Sequence, residues 1–236
     1  MEHLIFRFSP HRSSVLALLF AGCMLLSSHL MASDPTAGDE ESAWLETDDD
    51  TSQVNEGELR FLPEPPGKET LHIQNRIIIL PTSLIDGWVN LHQCYHNLTP
   101  LPDIQITYQY KAMRELAIAS YDGIGRAWVD GQSVQMNHVR QNATICILAR
   151  VQILRRHDGG GYTLNNGPYH LRFLDGFYPL RVTLEVNYPD DLLTIIGVTP
   201  EPQQGLTLER EPGRVAIDTH FEGMLYTELK FQSRDY

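Results

Sequence analysis

The densest group of side chains that can bind a metal is the segment 92–96, which reads His-Gln-Cys-Tyr-His. On a β-strand, His92, Cys94 and His96 share one face, but the two histidines lie about 13 Å apart and cannot ligate one ion. On a helix, His92 and His96 stand at positions i and i+4 and can share a metal, while Cys94 points away. Neither geometry supplies three ligands locally. The sequence therefore predicts no metal and no cofactor, and names His92 and His96 as the candidate ligands should one bind.

Aromatic and arginine side chains are interleaved along the segment 162–181. Exposed rings beside guanidinium groups form platforms for sugar rings or for aromatic-rich protein surfaces. In a β domain, such residues more often fill the core or form cross-strand pairs, so both interpretations stay open. The candidate ligand-binding residues of this segment are Tyr162, Tyr169, Arg172, Phe177 and Tyr178.

The sequence motifs of common catalytic sites are missing. The chain has no G-x-S-x-G, no H-E-x-x-H, no phosphate-binding loop and no dinucleotide-binding fingerprint. A glycosidase, however, needs only two carboxylates opposed in space, which sequence spacing cannot exclude. We expect a protein without catalytic residues. The alternative is a hydrolase of polysaccharide or peptidoglycan that uses scattered carboxylates such as Asp122, Asp175 and Asp190.

The two cysteines beyond residue 32, Cys94 and Cys146, are predicted to form a disulfide, because an even pair in an oxidising compartment favours one. Clean alternation over residues 144–153 puts Cys146 on the polar face of a strand, and a strand over 88–96 does the same for Cys94. Cysteines on the same face of a sheet can meet across two strands. The alternative is two separate thiols.

These residues must be positioned by a β-rich domain. From Leu59 onward the apolar pattern has period two, with turn signals at short intervals. The sequence predicts one antiparallel β-sandwich or barrel-like domain of about ten strands over residues 59–236. Asp130-Gly131 predicts a tight hairpin turn. The segment 84–98 also shows helical spacing, and we favour a strand there because Trp-Val and Cys-Tyr pairs suit strands.

The first 32 residues have the layout of a secretory signal peptide. Two arginines precede an apolar run over residues 15–26, and the small residue Ala32 precedes an acidic segment. The run has twelve residues, fewer than the roughly 20 that a membrane-spanning helix needs. We therefore expect cleavage after Ala32, a mature chain without a transmembrane segment, and a periplasmic location.

Residues 20–23 read Phe-Ala-Gly-Cys and resemble the lipobox of bacterial lipoproteins, whose cysteine is acylated and becomes the new N-terminus. The resemblance implies a lipid anchor at Cys23. Phe20 departs from the leucine that this family prefers, and the apolar Met24 follows where lipoproteins usually turn polar. Cleavage after Ala32 is therefore favoured, and lipidation of Cys23 is the alternative.

Residues 33–58 form an acidic segment with ten Asp and Glu residues and no Lys or Arg. Its few apolar residues cannot bury enough surface to offset the entropy of ordering, so we expect a disordered linker. The formal net charge of the chain is −12, and without a basic patch we expect no nucleic-acid partner. The expected function is an exported, non-catalytic binding or structural module whose partner is an envelope protein or a glycan.

Overall fold

The computed structural model describes residues 55–67, 69–173 and 176–234, together with the backbone of residues 2–3. Apart from that two-residue piece, the predicted signal peptide, the alternative lipidation site Cys23 and the acidic segment up to residue 54 lie outside the described residues. Within the described part, no helix combines the length and the apolar character needed to cross a bilayer.

The described part is almost entirely β-structure, which confirms the predicted all-β class. Eleven of its sixteen strands have six or more residues, and the remaining five have two or three, too few for an alternating pattern to reveal them. The elements are β1 Glu2–His3, β2 Arg60–Phe61, β3 His72–Ile78, α1 Ser83–Asp86, β4 Trp88–Leu98, β5 Asp103–Tyr108, β6 Met113–Asp130, β7 Ser133–Gln152, β8 Leu154–Arg156, β9 Gly161–Tyr169, β10 Leu171–Phe173, β11 Gly176–Tyr178, β12 Leu180–Asn187, β13 Leu193–Thr199, β14 Leu206–Glu211, β15 Arg214–Glu222 and β16 Leu225–Ser233.

The strands form two main sheets and one short ribbon. The large sheet has the order β1-β5-β7-β4-β3-β12-β15-β14, with β6 pairing β7 and β2 pairing β15. The smaller sheet has the order β13-β16-β9-β8, and β10 pairs β11. All described pairs are antiparallel except β3 with β12, which run parallel. This parallel pair brings two segments that are distant in sequence side by side.

The inner faces of the two sheets share one hydrophobic core. On β12, Leu180, Val182, Leu184 and Val186 are each at most 1% exposed, while the residues between them are half-buried. Leu164 and other apolar residues of the smaller sheet belong to the same core. Alternation therefore gives β12 one apolar face and one polar face, as in a β-sandwich.

A hydrogen-bonded polar network lies inside this core. The side chain of Gln93 donates to Asn75 Oδ1 at 2.7 Å and accepts from the hydroxyls of Tyr95 and Tyr108, each at 2.8 Å. Asn75 in turn donates to the hydroxyl of Tyr169 at 2.8 Å. All five residues are buried, and a satisfied network of this kind fixes how the strands pack.

The predicted strand over residues 84–98 is largely present. Residues 83–86 form one helical turn, and the strand β4 then runs from Trp88 to Leu98. The hairpin between β6 and β7 is also present, but the turn residues are Gly131 and Gln132, since Asp130 and Ser133 are register partners. Gly131 has a φ of 58° at the first central position, where a type I′ or II′ turn needs a positive φ.

Residues 55–58, which the sequence assigns to the acidic linker, contact the domain. The side chain of Asn55 is buried, and its Nδ2 donates to the carbonyl oxygen of Glu58 at 2.9 Å. The backbone carbonyl of Asn55 accepts from the amide of Phe177 at 3.2 Å. The packed part of the chain therefore begins at least four residues before Leu59.

Candidate functional site

A polar groove of about 380 Å³ lies on the outer face of the large sheet, along β3, β12, β15 and β14. The alternation that buries the apolar side chains of these strands turns their polar side chains to this face. Among the residues that line the groove are His72, Arg76, Arg181, Thr183, Glu185, Thr207, Glu209, Arg214 and Asp218. We call it the polar groove.

Arg181 and Asp218 form a two-point ion pair in the polar groove. Nε of Arg181 donates to Oδ1 of Asp218 at 3.0 Å, and Nη2 donates to Oδ2 at 2.7 Å. The pair joins neighbouring strands, because Thr183, two residues after Arg181 on β12, is the register partner of Asp218 on β15. The hydrogen bond to Asp218 raises the pKa of Arg181. The two parallel hydrogen bonds between the guanidinium and the carboxylate hold both groups in a fixed orientation.

Glu185 lies between two arginines. Its carboxylate contacts Nε of Arg76 at 3.0 Å and Nε of Arg214 at 3.2 Å. A hydrogen bond donated by Asn187 is the largest cause that lowers the pKa of Glu185, and the arginines lower it further. Arg214 also contacts Glu209 at 3.4 Å. These side chains form a row of alternating charge across β3, β12, β15 and β14.

His72 lies at one end of the polar groove and is neutral at pH 7. Burial lowers its pKa to about 4, and the nearby cation of Arg181 and the ring of His96 contribute in the same direction. His72 and His96 are register partners on β3 and β4, with ring centroids 5.4 Å apart. Nε2 of His72 is hydrogen-bonded to Oγ1 of Thr183 at 2.9 Å.

Burial also lowers the pKa of His96 and of His220, and the Arg181 cation adds to the effect at His220. His220 is the register partner of Arg181. Neutral imidazoles donate and accept one hydrogen bond each, so this end of the face offers uncharged hydrogen-bonding groups.

The charges that line the polar groove balance. Three guanidinium groups and three carboxylates line it, and the neutral His72 adds no charge at pH 7. Each of these ions contacts an ion of opposite sign, so the groove has fixed donors and acceptors without a net charge. The six ions are Arg76, Arg181, Arg214, Glu185, Glu209 and Asp218.

The predicted disulfide is present between Cys94 and Cys146, which are register partners on β4 and β7. The two histidines on the same face of β4, His92 and His96, make different contacts. Nε2 of His92 lies 3.6 Å from Sγ of Cys94, whereas the ring of His96 packs against His72. Because β4 is a strand, these histidines do not adopt the helical i, i+4 arrangement in which they could share a metal.

The predicted aromatic platform is divided between the core and the surface. Tyr162 and Tyr169 are buried on β9, 7% and 2% exposed, so they do not form part of an exposed platform. The other three residues lie on the β10–β11 ribbon, where the guanidinium of Arg172 stands 5.4 Å from the ring centroid of Phe177 and Tyr178 is 39% exposed. Regular alternation would place residues 162 and 169 on opposite faces, but the register with β16 shifts between Asn166 and Tyr169, and such a bulge lets both tyrosines face inward. Ligand binding by Arg172, Phe177 and Tyr178 stays a prediction.

Sequence reasoning missed the residues of the polar groove. The alternation of Arg181, Thr183 and Glu185 with apolar residues was visible as the polar side of a strand. Their neighbours on β3 and β15 were not, because no local pattern specifies which strands pair. The parallel pairing of β12 with β3 is what brings His72 beside Arg181.

Comparison with protein-family models and with curated proteins finds no match. Among solved structures, the chain has a weak likeness to an M1 zinc metallopeptidase from Deinococcus radiodurans, with 12% sequence identity and a TM-score of 0.40. The alignment covers 70% of this chain and 43% of the peptidase chain. A likeness this weak carries no inference about the activity of this chain.

Proposed function

We propose that this chain is an exported, non-catalytic binding module of the bacterial cell envelope and that its polar groove binds a glycan. The observation that supports the proposal is the balanced row of ion pairs in the groove. An anionic or cationic ligand gains little from a site without net charge, whereas the hydroxyls of a sugar can use fixed donors and acceptors of both kinds.

The size of the groove also favours a glycan over a protein partner. A volume of about 380 Å³ lies within the range of roughly 300–1,000 Å³ typical of sites for small ligands. Protein interfaces have an apolar centre with aromatic anchors, and the residues that line this groove are mainly polar. A protein partner would therefore have to use another surface.

The alternative, an envelope hydrolase, has less support from the groove. A glycosidase needs a general acid whose pKa is raised toward neutrality. The pKa of Glu185 is lowered instead, and Asp218 accepts two hydrogen bonds from Arg181. Of the acids suggested by the sequence, Asp122 and Asp190 are exposed and Asp175 lies outside the described residues.

The test is direct binding of glycans to the purified chain, first on an array of bacterial envelope glycans and then by titration calorimetry of any hit. The double variant Arg181→Gln/Asp218→Asn removes both charges and keeps both side chains near their original size. We expect it to weaken glycan binding at least tenfold.

The matched control is Arg140→Gln, an exposed arginine on β7 outside the groove, which we expect to bind as the unmodified chain does. Failure of every glycan to bind would overturn the proposal, and so would equal binding by the double variant. Capture of an envelope protein that survives the double variant would instead support a protein partner on another surface.

The proposed export has its own test. Cleavage after Ala32 gives a mature chain that begins at Ser33, and intact mass spectrometry of protein isolated from the envelope measures this directly. A mass that includes acyl chains on Cys23 would favour the lipoprotein alternative and would make residues 33–54 a tether to the membrane.

A further inference from the structure

A histidine adjoins both sulfurs of the disulfide. Nε2 of His92 lies 3.6 Å from Sγ of Cys94, and the ligand atoms of His92, Cys94 and Cys146 all lie within 4.8 Å of one another. The strand register explains this arrangement. Cys94 and Cys146 are direct cross-strand partners, and His92 stands two residues before Cys94 on the same face of β4.

The separation between His92 and Cys94 matches that of two ligands in a tetrahedral metal site. With Zn–N bonds of about 2.05 Å and Zn–S bonds of about 2.3 Å, a nitrogen and a sulfur on one zinc ion lie about 3.6 Å apart, and two sulfurs about 3.8 Å. His92 and Cys94 already have the first separation. Breaking the bond between Cys94 and Cys146 releases the two sulfurs to reach the second.

We propose that the reduced form of this chain binds one thiophilic metal ion of the Zn²⁺ type through His92, Cys94 and Cys146. Water completes the tetrahedron, since three protein ligands leave the fourth position open. The same residues thus have two states, a disulfide that joins β4 to β7 and a metal site that joins the same strands.

The change between the two states requires a dithiol reductant. The reductant gives two electrons and two protons to the disulfide, which yields the thiols of Cys94 and Cys146 and the cyclic disulfide of the reductant. Zn²⁺ then binds both sulfurs as thiolates, and the two thiol protons go to water. In the reverse direction, the two thiolates pass two electrons to a disulfide oxidant and the zinc ion leaves.

The surroundings tolerate this exchange of charge. Arg76 is the register partner of His92, and Arg150 lines the same cavity of about 510 Å³ as both residues. The disulfide is neutral, and Zn²⁺ with two thiolates is also neutral, so no net charge is added beside these arginines. Nearby cations favour the thiolate form that the metal needs, and the cavity gives an ion access to His92.

The test uses the full chain with Cys23→Ser, so that Cys94 and Cys146 are the only thiols. After reduction and removal of the reductant under argon, Co²⁺ is titrated as a spectroscopic probe and then displaced by Zn²⁺. We expect the near-ultraviolet charge-transfer band of thiolate-bound Co²⁺ at one ion per chain, and no band from the oxidised chain. Loss of even an outer-sphere partner typically costs about 10–100-fold in metal affinity, so His92→Ala should lose at least tenfold.

The matched control is His96→Ala, the other histidine on the same face of β4, which should bind the metal as the parent does. Equal binding by His92→Ala and the parent would overturn the proposal, and so would absence of the charge-transfer band. Circular dichroism shows whether the reduced chain keeps its sheets. If it unfolds without metal, Zn²⁺ should restore the β signal in the parent but not in His92→Ala, and failure to restore it would also overturn the proposal.

Discussion

The Cα atoms of Cys94 and Cys146 lie 4.1 Å apart, directly opposite each other on β4 and β7. Their disulfide therefore joins two adjacent strands of the large sheet on its polar face. The cysteines are 52 residues apart in sequence, and closing a loop of that length restricts the unfolded chain by about 4 kcal/mol in the chain-entropy description. The bridge thus stabilises a β4–β7 contact that the unfolded chain rarely forms.

Removal of this disulfide should lower stability. We expect Cys146→Ser to reduce the free energy of unfolding by roughly 2–5 kcal/mol, the range typical of native disulfides in secreted domains. The measurement is urea unfolding of oxidised protein with a chelator present, so that metal binding does not contribute. A reductant should lower the Tm of the parent chain and leave that of Cys94→Ser/Cys146→Ser unchanged. Equal Tm values for the parent with and without reductant would contradict this prediction.

Arg181 should control the protonation of two neighbouring histidines. Its cation lowers the pKa of His72 and of His220, although burial is the larger cause at both. Arg181→Gln removes this cation and leaves the Asp218 carboxylate without its ion pair. That carboxylate raises the pKa of both histidines. We therefore expect both pKa values to rise, as followed by NMR titration of the imidazole Hε1 signals. A pKa for His72 that stays at about 4 in the variant would contradict this explanation.

His72 should also make stability depend on pH in a defined window. Its folded-state pKa of about 4 lies below its ordinary value of 6.5, so the unfolded chain binds the proton first as the pH falls. The contribution of His72 to the free energy of unfolding therefore decreases as the pH falls from 6.5 to 4. His72→Gln lacks this contribution and should lose less stability over that window, measured by urea unfolding at each pH. An identical loss in both proteins would show that other groups, such as His96 and His220, account for the pH dependence.

The disulfide and the fold class were predictable because their signals are local. Alternation around Cys146 places it on the polar face of a strand whatever that strand pairs with. The polar groove was not predictable in the same way. His72 and Arg181 are neighbours only because β3 and β12 pair in parallel. The local sequence of one strand does not specify which distant strand it pairs with. Single-strand patterns therefore predict which face a residue occupies but not which residues share a site.

Gln93 shows a second limit of sequence patterns. It stands among Val89, Leu91 and Tyr95 on the buried face of β4, where alternation predicts an apolar side chain. The buried amide of Gln93 is satisfied by hydrogen bonds to residues on other strands, Asn75 on β3 and Tyr108 on β5. A polar residue at a core position is therefore a signal for a buried network, and the partners emerge only from the fold.

Replacement of Gln93 by an apolar residue of similar size should lower stability, because it breaks the hydrogen bonds of this network. Gln93→Leu removes the acceptor of two tyrosine hydroxyls and the donor to Asn75. A buried polar group that loses its partner costs about 1–3 kcal/mol, so we expect a loss of at least that amount in urea unfolding. Gln74→Leu, the same change at an exposed position on β3, should stay within about 0.5 kcal/mol. Similar losses for the two variants would show that the network contributes no stability.

Gly223 should be the glycine whose replacement most disturbs the start of the domain. It follows β15 with a φ of 85°, and a Cβ there would lie 2.0 Å from the carbonyl oxygen of Glu58. Gly131 has a φ of 58° but open space around its Cβ position, so Gly131→Ala isolates the backbone strain, about 1–2 kcal/mol. We expect Gly223→Ala to lose more than that, because the backbone near Glu58 must move as well. Limited proteolysis should then cut near Glu58 faster in Gly223→Ala than in Gly131→Ala. Equal stability losses and equal cleavage rates in the two variants would mean that the contact with Glu58 does not hold this segment against the domain.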